Sequence, residues 1–255
     1  MTRRQSRLLL LTCSLLLAGC ATAPRDPAVR AEDRDNNDPW EPLNRRTFAV
    51  NQFLDRILIK PVAEDYRNMV PQKSRDALRH FLDNLNEPTV LINDVLQGRL
   101  KSAARTGGRF VLNSTVGIGG LTDVASEHRL PKQSGDFGQT LSAWGFGEGP
   151  YLIIPLLGPS SPRDGIGRGV DLYLDPFRYL ARAHHYRASV TWGRTILDGI
   201  DRRERSLDAL DEMQKEAVDY YASFRSLYRQ NRAAELKPDS PPPTPSSGFY
   251  DDPGK

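Results

Sequence analysis

The amino-acid sequence predicts an all-α domain whose helices are joined by ordered loops rich in glycine and proline. Three observations support this prediction. Apolar residues recur at helical spacing along most of the body of the chain, and glycine and proline cluster in its middle third. In addition, no apolar stretch reaches the roughly 20 residues that a membrane-spanning helix needs.

The N-terminus has the order of a secretory signal. Three arginines precede an apolar run over residues 8–17, and the small-residue segment Leu17-Ala18-Gly19-Cys20 follows. This spacing resembles a bacterial lipobox, in which Cys20 is diacylated and becomes the first mature residue; the alternative is a chance cysteine near an ordinary signal. Two acyl chains are enough for stable anchoring. We therefore expect a signal peptide over residues 1–19 and a lipid on Cys20.

Further features of this region bear on localisation and partners. Ala21 follows Cys20 where an aspartate would resemble an inner-membrane retention signal, so outer-membrane sorting is expected. Cys13 leaves with the signal, so no cysteine pair remains for a disulfide. The chain has 35 basic and 32 acidic residues, and three of the basic ones lie in the signal. The mature chain would thus be nearly neutral, which gives no reason to expect nucleic-acid binding.

Composition divides the mature chain into three parts. Residues 20–37 have almost no large apolar side chain, so this lipidated segment is predicted to be a flexible tether spanning about 20–25 Å. Residues 237–255 are rich in proline and serine and are predicted to form a disordered tail. Residues 38–236 are enough for one helical domain.

The first helix of this domain is predicted to begin at Asp38, which resembles an N-cap with Pro39 at the first helical position. The apolar residues that follow form a wide stripe. A wide stripe suits either a buried helix or one that lies in a lipid interface.

Further helices are predicted over residues 74–85, 89–96, 100–116, 188–205 and 215–236. Asn86-Glu87-Pro88 is expected to separate the first two of these. The aromatic residues of the last helix suit either the core or a docking face. For residues 117–169 we expect short helices and tight loops rather than a sheet, and the apolar run 151–157 suits a strand or an extended membrane-facing loop.

Motifs for catalysis or cofactor binding are not found in the sequence. It lacks a nucleophile elbow, a zinc-binding helix motif and a phosphate-binding loop. The pair His184-His185 has no third ligand nearby, and the glycines over 165–169 are interpreted as tight helix packing rather than a nucleotide loop. Asp123 and Asp136 are expected to cap turns. We therefore expect no catalytic residues, no metal site and no cofactor.

Several short motifs, in the same order, resemble the MlaA (VacJ) lipoproteins. The likeness covers roughly residues 38–164 and is weaker beyond residue 175. It is carried by Asp38-Pro39-Trp40-Glu41-Pro42-Leu43-Asn44-Arg45, Asn84-Leu85-Asn86-Glu87-Pro88, Asn113-Ser114-Thr115-Val116-Gly117-Ile118-Gly119-Gly120, Asp136-Phe137-Gly138-Gln139-Thr140-Leu141, Pro155-Leu156-Leu157-Gly158-Pro159-Ser160 and Arg163-Asp164.

The resemblance implies a ring-shaped, monotopic helical domain in the inner leaflet of the outer membrane, with an amphipathic channel. It also implies work beside a trimeric porin and transfer of mislocalised phospholipids to a soluble periplasmic carrier. On this basis we expect Tyr151, Leu152, Ile153 and Ile154 to lie near the channel or at the lipid-facing rim, the alternative being ordinary core. Two other functions stay open, a purely structural lipoprotein and a lipid-anchored hydrolase.

Overall fold

The computed structural model describes residues 37–183 and 188–237. The predicted signal, Cys20, nearly all of the tether, His184-His185 and all but the first residue of the predicted tail lie outside these residues. The described chain forms eleven α-helices, one π-helical turn and one short β-hairpin. In chain order they are α1 Glu41–Leu54, the π-helical turn Asp55–Ile59, α2 Lys60–Met69, α3 Gln72–Leu96, α4 Leu100–Thr115, α5 Val124–Glu127, α6 Phe137–Ala143, β1 Leu152–Ile154, β2 Gly158–Ser160, α7 Pro162–Leu174, α8 Pro176–Ala183, α9 Ala188–Arg205, α10 Leu207–Glu216 and α11 Tyr220–Glu235.

Contacts between the elements close a circuit. The helix α1 continues through the π-helical turn into α2, α2 packs on α9, and α9 packs on α3. In turn α3 contacts α6, α6 contacts α7, and the hairpin before α7 returns to α1 through β1. The all-α prediction is confirmed, and the circuit is the connectivity that a ring-shaped domain requires.

Two helix boundaries differ from the sequence prediction. The segments predicted as separate helices around Pro88 form the single helix α3 with Pro88 in its interior. Proline normally breaks a helix because it lacks an N–H and crowds the preceding turn, but α4 packs along α3 and supports the chain on both sides. Conversely, the predicted last helix begins at Tyr220 rather than near residue 215, because Ala217 is extended and Asp219 caps α11 by accepting from Ala222 N; the helix α10 before it was not predicted.

The middle of the chain also departs from the prediction of helices and loops without a sheet. Strands β1 and β2 pair antiparallel, with Ile153 opposite Pro159. The exposed turn between them places Leu156 at a φ of 64°. The run 151–157 thus contains a strand, which was one of its two predicted forms.

Asparagine side chains of α1 complete the outer edge of β1. Asn44 donates from Nδ2 to Tyr151 O at 3.0 Å and accepts from Ile153 N at 2.9 Å. Asn51 makes a similar pair of hydrogen bonds where β1 ends, donating to Ile154 O at 3.1 Å and accepting from Leu156 N of the turn at 2.9 Å. Residues seven apart share a helix face, so the two amides of α1 hold β1 and the turn that follows it.

Candidate functional site

The described part of the chain has the reverse of the residue distribution found in water-soluble proteins. Buried polar and charged side chains outnumber buried apolar ones, while many large apolar side chains are exposed. Water-soluble domains bury most of their large apolar residues and rarely expose wide apolar patches. The exterior of this domain therefore suits a lipid environment. Among the described residues no helix has the length and apolarity to cross a bilayer.

Exposed apolar side chains follow one another along α1, the π-helical turn and α2. Phe53, Ile57 and Leu58 are 58%, 55% and 60% exposed. In the same turn Asp55 accepts two hydrogen bonds from Arg203 of α9, at 2.7 and 2.8 Å. The π-helical turn thus directs a carboxylate toward the neighbouring helix and apolar side chains toward the surroundings, which is the arrangement expected of a helix lying in a lipid interface.

An aromatic cluster holds the hairpin against α1 and α11. Phe48, Tyr151, Ile153 and Tyr221 are buried together, with other aromatic side chains of α11 packed around them. The aromatic residues of α11 therefore belong to the core, one of the two roles left open by the sequence. Tyr151 and Ile153 are buried and Leu152 and Ile154 are half-buried. A role for these four in a lipid path stays a prediction, and the burial of two favours core packing for them.

Asp38 does not cap α1 as the sequence predicted. The N-cap position is Trp40, and no side chain caps it. Asp38 is instead a buried carboxylate that accepts from Tyr221 OH, from Arg225 Nη1 at 2.8 Å and from Asn44 Nδ2 at 2.7 Å. A buried carboxylate needs such partners, and the sequence alone could not reveal that α11 supplies two of them.

A second buried cluster joins α11 to α6 and α7. Arg232 donates to Asp136 at 2.6 and 2.8 Å and to Asp164 at 2.7 and 3.0 Å. Burial opposes ionisation of both carboxyl groups, but the hydrogen bonds and charge of Arg232 outweigh it and hold the pKa of each below its ordinary value. Asp136 also caps α6 by accepting from Gln139 N, so the predicted capping role is confirmed.

A third cluster lies between α3, α4 and α5. Arg109 is buried, donating to Glu87 at 2.9 Å and to both oxygens of Asp123 at 3.1 Å. Burial raises the pKa of Glu87 despite this pairing, whereas the pKa of Asp123 is lowered to about 2. Asp123 also caps α5, as predicted, by accepting from Ser126 N.

These clusters show charged side chains paired with one another inside the domain. No group of His, Cys, Asp and Glu in the described ranges is arranged to hold a metal ion. The ring nitrogen Nδ1 of His128, one of the two histidines within those ranges, lies at hydrogen-bond distance from Val124 O, 3.0 Å. The arrangement places an apolar exterior beside a polar interior, which matches the two halves of an amphiphile.

Comparisons with known proteins agree with this description. A family model described as MlaA lipoprotein matches residues 36–235. The intermembrane phospholipid transport system lipoprotein MlaA of Escherichia coli is 34% identical over 240 residues, covering 89% of each chain, and the protein of that name from Haemophilus influenzae is 32% identical over 226 residues, covering 87% of this chain and 86% of the relative. A solved structure reported as the structural basis for maintenance of bacterial outer membrane lipid asymmetry matches with a TM-score of 0.69 and 31% identity, over 78% of this chain and 99% of that one.

Proposed function

Because this chain belongs to the MlaA lipoprotein family, we propose that it acts in intermembrane phospholipid transport and so maintains the lipid asymmetry of the outer membrane. The observation that carries this proposal is the reversed residue distribution. An exterior with exposed Phe53, Ile57 and Leu58 can lie among acyl chains, while the polar interior keeps charged side chains paired. Unpaired polar groups facing hydrocarbon would cost several kcal/mol each.

The location and partners follow from the same family membership. We propose that the domain lies in the inner leaflet, anchored by two acyl chains on Cys20, and that it takes mislocalised phospholipids from the outer leaflet. A trimeric porin would hold it in place and a soluble periplasmic carrier would accept the lipid. The sequence has no nucleotide-binding motif, so the energy for directional transfer would come from a partner.

The reaction that we propose breaks no covalent bond. Buried carboxylates of the described domain are engaged with arginines, as in the pairing of Asp38 with Arg225 and of Asp164 with Arg232. Asp164 in particular is a poor general base, because the charge of Arg232 stabilises its carboxylate and its pKa is lowered. This arrangement supports a transport role over a hydrolytic one.

Deletion of the gene with complementation tests the proposal. Cells without the protein should accumulate phosphatidylethanolamine in the outer leaflet, measured with an impermeant amine-reactive reagent. The wild-type chain should restore asymmetry, and the Cys20→Ser chain, made at equal level, should restore it poorly. A purely structural lipoprotein would leave the labelling unchanged on deletion, and release of fatty acid from phospholipid by the purified protein would indicate a hydrolase.

A further inference from the structure

Arg163 is a buried cation with few partners. It lies in the first turn of α7 and is 6% exposed. Within the described chain its one side-chain hydrogen bond runs from Nε to Asp164 Oδ1 at 3.2 Å, and its buried Nη2 meets no acceptor. By contrast, Nε, Nη1 and Nη2 of Arg109 all donate to protein oxygens. A buried guanidinium without matching acceptors is costly, so its presence needs an explanation.

Asp164 does not fully compensate this charge, because other groups also draw on its carboxylate. Oδ1 accepts from Arg232 Nη2 at 2.7 Å, and Oδ2 accepts from Arg232 Nε and from Tyr228 OH, both at 3.0 Å. The two terminal nitrogens of Arg163 form a planar fork, the geometry that binds phosphate or carboxylate through paired hydrogen bonds. This fork has no such partner among the described residues.

A second buried donor lies in the same region. Tyr151 is 1% exposed and its hydroxyl has no hydrogen-bond partner within the described ranges. Its ring lies 5.8 Å from that of Tyr228, whose hydroxyl donates to Asp164. Tyr151 and Arg163 are thus connected through two side chains, and each carries an unused polar group.

The backbone next to these groups is held by protein contacts. Glu148 O accepts from Arg163 N at 3.5 Å, so the segment before β1 lies against the first turn of α7. The other N–H groups of this turn are also bonded, Asp164 N to Ser161 Oγ and Gly165 N to Ser161 O, so α7 adds only its dipole to the charge of the guanidinium. Gly149 is exposed, and Ile166, one turn further along α7, is 62% exposed. Exposed residues therefore flank the first turn of α7, which carries Arg163.

We propose that Arg163 and Tyr151 form a subsite for the phosphate of a phospholipid headgroup, between the segment that precedes β1 and the first turn of α7. This inference rests on the proposed function and names the residues that would recognise its substrate. Glu235 also accepts from Arg232, so the formal charges of Arg163, Arg232, Asp136, Asp164 and Glu235 sum to −1, and the subsite has no net positive field. Recognition would depend on the directed N–H and O–H donors together with apolar contact to the lipid, which disfavours a free phosphate ion.

Thermal unfolding of the purified full chain in a detergent that lacks phosphate tests this subsite. The probes are dihexanoyl phosphatidylethanolamine, dihexanoylglycerol, which has the same chains without phosphate, and inorganic phosphate. The variants are Arg163→Met and Tyr151→Phe, with Arg129→Met as the control that removes an exposed arginine. A ligand that binds the native state raises its unfolding temperature in proportion to occupancy.

Without a probe, Arg163→Met should unfold at the wild-type temperature or above, because it removes a poorly compensated buried charge. Its affinity for the phospholipid should fall by roughly tenfold or more, as expected for loss of charged hydrogen bonds. Tyr151→Phe should lose affinity by a smaller factor, and the control should match the wild type. Neither dihexanoylglycerol nor inorganic phosphate should protect the wild type as the phospholipid does.

Three outcomes would overturn the subsite. Arg163→Met could unfold below the wild type, which would make Arg163 a structural ion-pair residue. The Arg163→Met variant could keep the rise in unfolding temperature that phospholipid causes. Alternatively, inorganic phosphate alone could raise the unfolding temperature of the wild type as much as the phospholipid does. These outcomes differ from failure of the proposed function, in which deletion of the gene would leave outer-leaflet lipid unchanged. If lipid asymmetry requires the chain but Arg163→Met both restores it and binds phospholipid normally, only the subsite is wrong.

Discussion

Asp123 shows how one carboxylate serves both local and tertiary structure. It caps α5 through Ser126 N and accepts from Arg109 and Asn113. The capping role is visible in the sequence because aspartate before a short turn is a local signal. Its pairing with Arg109, fourteen positions earlier, depends on the crossing of helices and has no local signal. The same holds for Asp38, whose partners on α11 lie 183 and 187 positions further along the sequence.

We predict that Asp123→Asn lowers the free energy of unfolding by about 2 kcal/mol at neutral pH, the value that a pKa depressed from 3.8 to about 2 implies. Burial raises this pKa, but the hydrogen bonds from Ser126 and Asn113, together with the hydrogen bond and charge of Arg109, lower it by a larger amount. A depressed carboxylate pKa stabilises the folded state above the unfolded pKa. This contribution is lost as the pH falls from about 4 to 2.

Denaturant unfolding in detergent, followed by circular dichroism at several pH values, measures this difference. The gap between wild type and Asp123→Asn should shrink toward pH 2. Glu127→Gln is the control, because this nearby carboxylate is exposed. A gap that stays constant down to pH 2 would assign the effect to lost hydrogen-bond geometry rather than to ionisation.

At the scale of elements, the sequence predicts the longest described helices, α1, α3, α4, α9 and α11, because amphipathic spacing is a local property. The predicted 100–116 and 188–205 agree closely with Leu100–Thr115 and Ala188–Arg205. What it does not predict depends on contacts between elements: α3 passes through Pro88 where α4 supports it, and β1 forms where asparagines of α1 complete its edge. For the candidate site, the sequence pattern indicated Tyr151, and Arg163-Asp164 is one of the motifs that carry the family resemblance. The burial of Arg163 is seen only in the structure.

The contact between α6 and α7 gives a second prediction. A Cβ on Gly167 would lie 2.4 Å from Gly138 N, and that atom belongs to the backbone and cannot move aside easily. Gly167→Ala should therefore lower the free energy of unfolding by about 1–3 kcal/mol through overpacking. It should also weaken the nearby pairing of Arg232 with Asp136 and Asp164.

The matched control is Gly169→Ala on the same helix, where a Cβ would meet nothing within 4 Å. Alanine is the better helix former by about 0.5–1 kcal/mol, so this variant should be as stable as the wild type or more so. Both are measured by denaturant unfolding in detergent. Equal stability of the two variants would show that α6 and α7 approach less closely than the structure places them.

At the scale of the whole molecule, the interior of the domain is connected by polar pairing more than by a large apolar core. The aromatic cluster around Phe48 and Tyr151 is small, whereas the clusters of Arg109, Arg225 and Arg232 connect distant segments of the chain. Such pairing is strong where water is scarce. An apolar environment outside the domain therefore contributes to its fold as well as to its location, since it covers surface that would otherwise be exposed to water.

The outer surface accordingly should bind membranes without the lipid anchor. We predict that the Cys20→Ser chain, purified in detergent and then diluted, floats with phospholipid vesicles in a density gradient. Replacing Phe53, Ile57 and Leu58 together by aspartate should abolish flotation, because one aspartate at the centre of the hydrocarbon costs about 2.5–3.5 kcal/mol and the lost apolar contact adds to it. The control replaces the exposed polar residues Lys73, Gln214 and Gln230 by aspartate and should still float. If the control floats and the apolar variant floats equally well, these three side chains do not face lipid, and the membrane-facing surface must be sought elsewhere on the domain.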